Sequence, residues 1–379
     1  MIIKREILAL YLVNILDGFA GSLFGVFVPI YLFQRGYTIQ SIILLYFFYS
    51  LFMIGAFALS ALVMNRYGLR IMMLMRVPFL LAYMGALIAL PKIPYFPLWI
   101  IGLLMALQGG FYFFGTNMLF LSNVQSKNLE NEIGRLNFWP QLVGLFLPLL
   151  GAWLIVNKDY QFVLLITFAI YCLAILPLWF IADFKTTINF SFKQFRQVWL
   201  RNQRYTVIEI IKNMSEEVEG IVWPLFVILF FHNILILGWL SFLVGLGGAL
   251  FTWLVGKYAK KIHRARILKI GLLITALLWL VVYFFPGKEV YLLTSISLGF
   301  VGALVGIPFS AYVYRLAKRR KTDEFIIFRE LPVFLGRIPV YLLAYFFWHQ
   351  LQFGFLLAAC SLIILSLFNF GGRAKILTG

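Results

Sequence analysis

Apolar segments long enough to cross a bilayer recur from one end of this chain to the other. A helix needs roughly 20 predominantly apolar residues to span hydrocarbon. Twelve such runs can be read, at about 6–33, 38–63, 70–91, 96–123, 133–156, 161–183, 206–231, 234–257, 267–286, 289–316, 325–348 and 351–371. Hydrophobic residues make up 63% of the chain, well above the roughly 45–50% of soluble domains. Alternation with a period of two, the mark of a membrane β-barrel, is absent. The first run is too long for a removable signal peptide and lacks its small-residue cleavage site. Backbone polar groups in lipid must be satisfied within each segment. The expected class is therefore an all-α polytopic membrane protein of 12 transmembrane helices.

The net charge of +18 raises the possibility of a nucleic-acid partner, but its distribution excludes one. Twenty-three lysines and arginines fall on one set of alternate turns, among them Lys4, Arg5, Arg66, Arg70 and the run RLAKRRK (315–321). Four (Arg35, Lys92, Lys158 and Lys288) fall on the other set. Positive charge collects on the cytoplasmic side of membrane proteins, so both termini are placed in the cytoplasm and the chain in the plasma membrane. Cys172 and Cys360 lie inside predicted spans, and His232, His263 and His349 stand singly at span ends. Neither set has the spacing of a metal site or a disulfide framework. No metal, no cofactor and no enzymatic chemistry is expected.

The chain repeats. Shifted by 195 residues, Pro29 falls on Pro224, the basic turn ALVMNRYGLRI (61–71) on GKYAKKIHRAR (256–266), and Pro91 on Pro286. Shifted by 192, Glu132 falls on Glu324, Pro140 on Pro332 and Gly144 on Gly336. A nearly constant offset means two structural units. Residues 1–183 and 206–379 would each form a six-helix bundle, joined by a basic cytoplasmic linker at 184–205.

Two six-helix halves in one orientation are the plan of the major facilitator superfamily, in which solute binds near the bilayer midplane between halves. Short motifs carry the resemblance further. The family's loop between helices 2 and 3 reads G-x-x-x-D-R-x-G-R-R/K. Here ALVMNRYGLR (61–70) resembles it, with Asn65 at the acid position and Arg66, Gly68 and Arg70 in place. A second copy, GKYAKKIHRA (256–265), keeps Gly256 and Lys261 and puts Lys260 at the acid position. A glycine permits the tight reversal, and a basic side chain can bond helix-end carbonyls. In helix 5, VGLFLPLLGA (143–152) resembles the G-x-x-x-G-P-x-x-G-G signature of the drug–proton antiporters, keeping Pro148 and Gly151. The resemblance implies alternating access by a monomer, with helices 1, 4, 7 and 10 lining the cavity.

The stretch IEIIKNMSEEVEGIVWP (208–224) concentrates charge in a chain of which only 12% is charged. Adding 195 to the midpoint of the first span places Glu216, Glu217 and Glu219 halfway along the seventh. The other reading, a cytosolic extension, would leave that span short of the roughly 20 residues it needs. Helical spacing puts Glu209, Lys212, Glu216 and Glu219 on one face, flanked by Asn213 and Gly220, with Glu217 turned away. Lys212 can pair with Glu209 or Glu216. Asn14 and Asp17 form a polar face on span 1, Gln108 and Tyr112 on span 4, and Glu330 and Arg337 on span 11. Six embedded carboxylates (Asp17, Glu209, Glu216, Glu217, Glu219 and Glu330) stand against three cations (Lys212, Arg329 and Arg337). A charge at the centre of a membrane helix costs about 2.5–3.5 kcal/mol even on insertion scales. Surplus carboxylates must then face water or take up a proton, because desolvation disfavours their ionised form.

The chain therefore reads as a secondary transporter of a small solute. No phosphate-binding GxxxxGK[ST] is present, so protons are the expected partner. Glu216 or Glu219 is the expected carrier, with Asp17 across the cavity and Arg337 as counter-charge; Gln108, Tyr112, Asn14 and Asn213 are candidate solute contacts. Each charged residue has a plainer role available as a structural ion pair. A cationic amphiphile exported against protons is favoured over an anionic or zwitterionic nutrient taken up with them. A sensor or lipid-handling protein of the same fold is the third reading.

Overall fold

The computed structural model describes residues 5–93, 95–124, 129–181, 183, 192–258, 264–319 and 322–368. Helices dominate, and no strand occurs among the described residues. Span 1 is α1 (Arg5–Phe24) and α2 (Val28–Gln34), joined by a single 3-10 turn, Gly25–Phe27, just ahead of Pro29. Span 2 is α3 (Ile39–Tyr67), span 3 is α4 (Leu69–Leu74) with α5 (Arg76–Ala89), and span 4 is α6 (Leu98–Asn123). Span 5 is α7 (Leu129–Gly144) and α8 (Leu147–Asn157), broken where Pro148 opens α8, and span 6 is α9 (Tyr160–Ile175). A short linker helix, α10 (Phe192–Arg201), follows. Span 7 is α11 (Gln203–Glu217), a π turn at Val218–Val222 and α12 (Trp223–Phe231). Spans 8 to 12 are α13 (Ile234–Tyr258), α14 (Arg264–Phe284), α15 (Lys288–Arg319), α16 (Thr322–Phe346) and α17 (Phe353–Leu367).

Nine helical segments among the described residues are long and apolar enough to cross a membrane. Spans 7, 11 and 12 are not among them: the first two carry charges that interrupt an apolar run, and span 12, Phe353–Leu367, is shorter. Large apolar side chains cover the outside of the bundle, Leu62, Leu165, Leu277 and Leu293 among them. A surface of that kind is stable only against lipid, and the chain is an integral multi-pass membrane protein.

Packing repeats between the halves. In the first, α1 lies on α7, α8 and α9, α3 on α6, and α5 on α6 and α9. In the second, α11 lies on α16 and α17, α13 on α15, and α14 on α15 and α17. Each of these contacts has its counterpart six spans away. Small residues set the approach, as helix association in lipid requires. A Cβ on Gly299 would strike the Val244 carbonyl where α15 crosses α13, and one on Gly110 would meet the Ala56 methyl where α6 crosses α3. The halves meet along α3 against α16 and along α7 and α8 against α13.

Candidate functional site

Span 7 is one helical path over 203–231, so residues 216–219 lie at its middle rather than on an extension. Its charges are inside the bundle. Glu209 is fully buried, and Lys212 and Glu217 nearly so. Glu216 and Glu219 are exposed on the wall of a cavity of about 480 Å3, which they share with Val26, Trp223, Trp279 and Leu298. The π turn adds one residue to a helical turn, a feature found frequently at functional sites, and Glu219 stands inside it.

Three carboxylates of α11 have cations. Glu216 Oε1 bonds Lys212 Nζ, which settles the choice left open for Lys212. The ammonium also sits 4.5 Å from the centre of the Phe309 ring. Glu209 Oε1 lies 3.3 Å from Arg329 Nε on α16. Glu217, which helical spacing turns away from the other acids, faces α16: its Oε2 is 2.8 Å from Arg337 Nε, and its Oε1 accepts from Tyr341 at 2.7 Å. Arg337 thus makes its direct contact with Glu217 and acts on Glu216 and Glu330 from further off. Glu219 and Glu330 share cations already bonded elsewhere: Glu219 interacts electrostatically with Lys212, and Glu330 with Arg329 and Arg337. Asn213 Nδ2 is spent on the Glu209 carbonyl, 2.8 Å away, so its amide is a helix contact.

The first half holds a second cavity, of about 440 Å3, between α1, α5, α6, α7 and α9. Asp17 does not face the acids of span 7. Its Oδ2 accepts from Arg76 Nη2 at 2.8 Å, with both side chains almost entirely buried. Arg76 is one of two basic residues, with Arg135, that the charge count over sequence omits. It also donates from Nε to Gln108 Oε1 at 3.2 Å and lies 4.3 Å from the Tyr112 ring centre. Tyr112 in turn donates to Asn14 Oδ1. Asn14, Asp17, Gln108 and Tyr112 are thus brought together as expected, around an arginine that was not. Its signal was available, because a lone arginine in an apolar run must find a partner. The cavities draw on spans 1, 3, 4, 5 and 6 and on spans 7 to 10 with Val26, a wider set than spans 1, 4, 7 and 10.

The motif residues serve packing and turns. Gly68 joins α3 to α4 at φ 89°, where a side chain would be strained and would strike Asp183. Asp183 Oδ1 accepts the Arg70 backbone N–H at 3.2 Å, and Arg70 Nε donates to the Ile181 carbonyl at 2.9 Å. Asn65 and Arg66 close α3, with Arg66 over the Tyr67 ring. Gly256 lies in the last turn of α13, while Lys260 and Lys261 fall outside the described residues. Gly151 lets α8 rest on α1, since a Cβ there would strike the Leu23 carbonyl.

Polar bridges between the halves end on neutral acceptors, though two of the donors are cationic. Ser50 on α3 bonds Tyr341 at 2.7 Å and accepts from Arg337 Nη1 at 3.0 Å. Tyr314 donates to Asn117 Oδ1 at 2.7 Å, and Lys318 Nζ to the Val124 carbonyl, where α15 meets the end of α6.

No family model matches the chain, and no curated protein does. Solved structures do. The human organic anion transporter MFSD10 (TETRAN) is 15% identical at a TM-score of 0.70, covering 96% of this chain and 98% of its own. A D-xylose-proton symporter is 14% identical at 0.69, with 96% of each chain covered. A structure of the proton dependent oligopeptide transporters is 11% identical at 0.66, again with 96% of each covered. Likeness at this identity establishes the fold: the chain has the 12-helix, two-bundle architecture of major facilitator transporters.

Proposed function

We propose that this protein is a secondary active transporter that moves a small solute by alternating access, coupled to protons. The supporting observation is the partition of its charges. The ion pairs at the two cavities each join residues of one half: Asp17 with Arg76, Lys212 with Glu216, Glu209 with Arg329, Glu217 with Arg337. Bridges between halves among the described residues end on a hydroxyl, an amide or a backbone carbonyl. Breaking a buried ion pair costs about 3–5 kcal/mol, whereas a neutral hydrogen bond is worth about 0.5–1.5 kcal/mol. Two bundles, 1–183 and 206–379, can therefore rock about their seam while these four pairs stay closed. The linker 184–205 and both termini lie on the cytoplasmic side, and one chain suffices.

Glu219 is the proton carrier. It faces the cavity and makes no direct bond to a cation, since the nearby Lys212 is bonded to Glu216, while Asp17 is tied to Arg76. Two of the three similar structures are named as proton-coupled, which supports the coupling by analogy of fold. Export remains the favoured direction on the helix 5 remnant, Pro148 and Gly151. Reconstitution in vesicles tests the reading. Solute flux should follow an imposed pH gradient, and Glu219→Gln should abolish that dependence in a protein that still folds. Identical pH dependence in wild type, Glu216→Gln and Glu219→Gln would remove the carrier assignment; no flux of any solute would remove transport.

A further inference from the structure

The cavity of the first half constrains the chemistry of the transported solute, an assignment that rests on the transport reading. Its wall holds two charges, Asp17 and Arg76, and at 2.8 Å they already neutralise each other. The arginine side chain is only 5% exposed. It is fixed on three sides, by Asp17, by Gln108 and by the faces of Tyr112 and Tyr171. A cation entering here meets that guanidinium and an anion meets the carboxylate. A zwitterion must break the internal pair before it can replace it. Ionic solutes are thus disfavoured by the very groups that would otherwise attract them.

What the pair leaves over is hydrogen-bonding capacity. Asp17 Oδ1 and Asn14 Nδ2 are both shut off from solvent, and neither has a hydrogen-bond partner. A buried donor or acceptor without a partner is costly; both side chains line the cavity, so each gains when a small turn brings its free atom to a ligand. One unfilled acceptor and one unfilled amide donor are what a hydroxyl group can satisfy, since it donates and accepts at once. Gln141, on the same wall, adds an amide, and Tyr112, Tyr171 and Phe113 supply aromatic surface. The volume of about 440 Å3 falls within the roughly 300–1,000 Å3 of small-molecule sites.

We propose that this cavity binds an uncharged polyhydroxylated solute, held by Asn14, Asp17 and Gln141 beside the tyrosine rings, while the Asp17–Arg76 pair stays closed. The acidic cavity of the second half then keeps its carboxylate for the proton. This assigns solute and proton to different halves and replaces both charged-solute readings.

Binding to the purified full-length protein in detergent, followed by calorimetry and by the thermal unfolding midpoint, tests it independently of flux. The probes are D-glucose and sorbitol (neutral polyols), choline (a cation), lactate (an anion) and glycine betaine (a zwitterion). The polyols should bind and raise the unfolding midpoint, and the three ionic probes should do neither. Asn14→Leu and Gln141→Leu should each weaken polyol binding about 10-fold, the loss of roughly one hydrogen bond. Gln141 is exposed on the wall, so that variant keeps the test alive if Asn14→Leu misfolds. Absence of polyol binding, polyol affinity unchanged in both variants, or Asn14-dependent binding of choline, lactate or betaine would each overturn the proposal. Polyol binding without flux in vesicles would leave this site standing and remove the transport reading instead.

Discussion

The two halves share a scaffold and differ in how they handle charge. Span 1 is interrupted by a 3-10 turn at Gly25–Phe27 before Pro29, and span 7 by a π turn at Val218–Val222 before Pro224, 195 residues later. Asp17 in the first corresponds to Lys212 in the second, so one position carries opposite signs. The first half then balances its cavity with one cation, Arg76. The second sets Glu209, Glu216, Glu217, Glu219 and Glu330 against Lys212, Arg329 and Arg337, so that five acids share three cations. A duplicated frame has kept its packing while its two cavities have taken up different electrostatic tasks.

That contrast can be broken most forcefully at Arg76. Arg76→Leu leaves Asp17 buried and uncompensated, a loss of about 3–5 kcal/mol that thermal unfolding in detergent should register. Adding Asp17→Asn should return most of it. If Arg76→Leu proves no worse than Glu219→Gln, the first half is not a balanced pair. Next in size, Gly299→Ala forces α15 off the Val244 carbonyl of α13, an overpacking cost of about 1–3 kcal/mol. Gly110→Ala, its analogue between α6 and α3, meets a methyl instead of a carbonyl and should cost less on the same scan. Ser50→Ala removes the hydroxyl that Tyr341 and Arg337 share across the seam and should cost about 0.5–1.5 kcal/mol. It should also slow cross-linking of cysteine pairs that face each other across the closed seam. Smallest in stability, Glu219→Gln should shift unfolding by no more than about 0.5 kcal/mol while flux loses its response to pH.

Much of this was legible in the residues. Span length and the 195-residue offset located the helices, and the shortness of any alternative span 7 put Glu216 and Glu219 inside the bundle. Helical spacing correctly turned Glu217 away from its neighbours, but only tertiary packing shows that α16 and α3 lie on that side. Arg76 escaped because it falls six residues after Arg70, between a basic turn and an apolar run, where neither pattern claims it. The π turn was not read from residue type, although Val218–Val222 gathers three β-branched residues and a glycine, all weak helix formers. The pairing of Asp17 with Arg76 joins spans 1 and 3 over 59 residues, a distance that periodicity does not bridge.

The turn at Gly68 is completed from far along the chain. The acid that a contiguous pattern expects at Asn65 is absent, yet a carboxylate touches this loop all the same, delivered by Asp183 from beyond the sixth span. A signature can be scattered along the string and reassembled in space. Recognition by linear text then scores such a chain as degraded, while its folded form retains the junction. Comparison of shapes, rather than of letters, is the appropriate instrument for relatives of this kind.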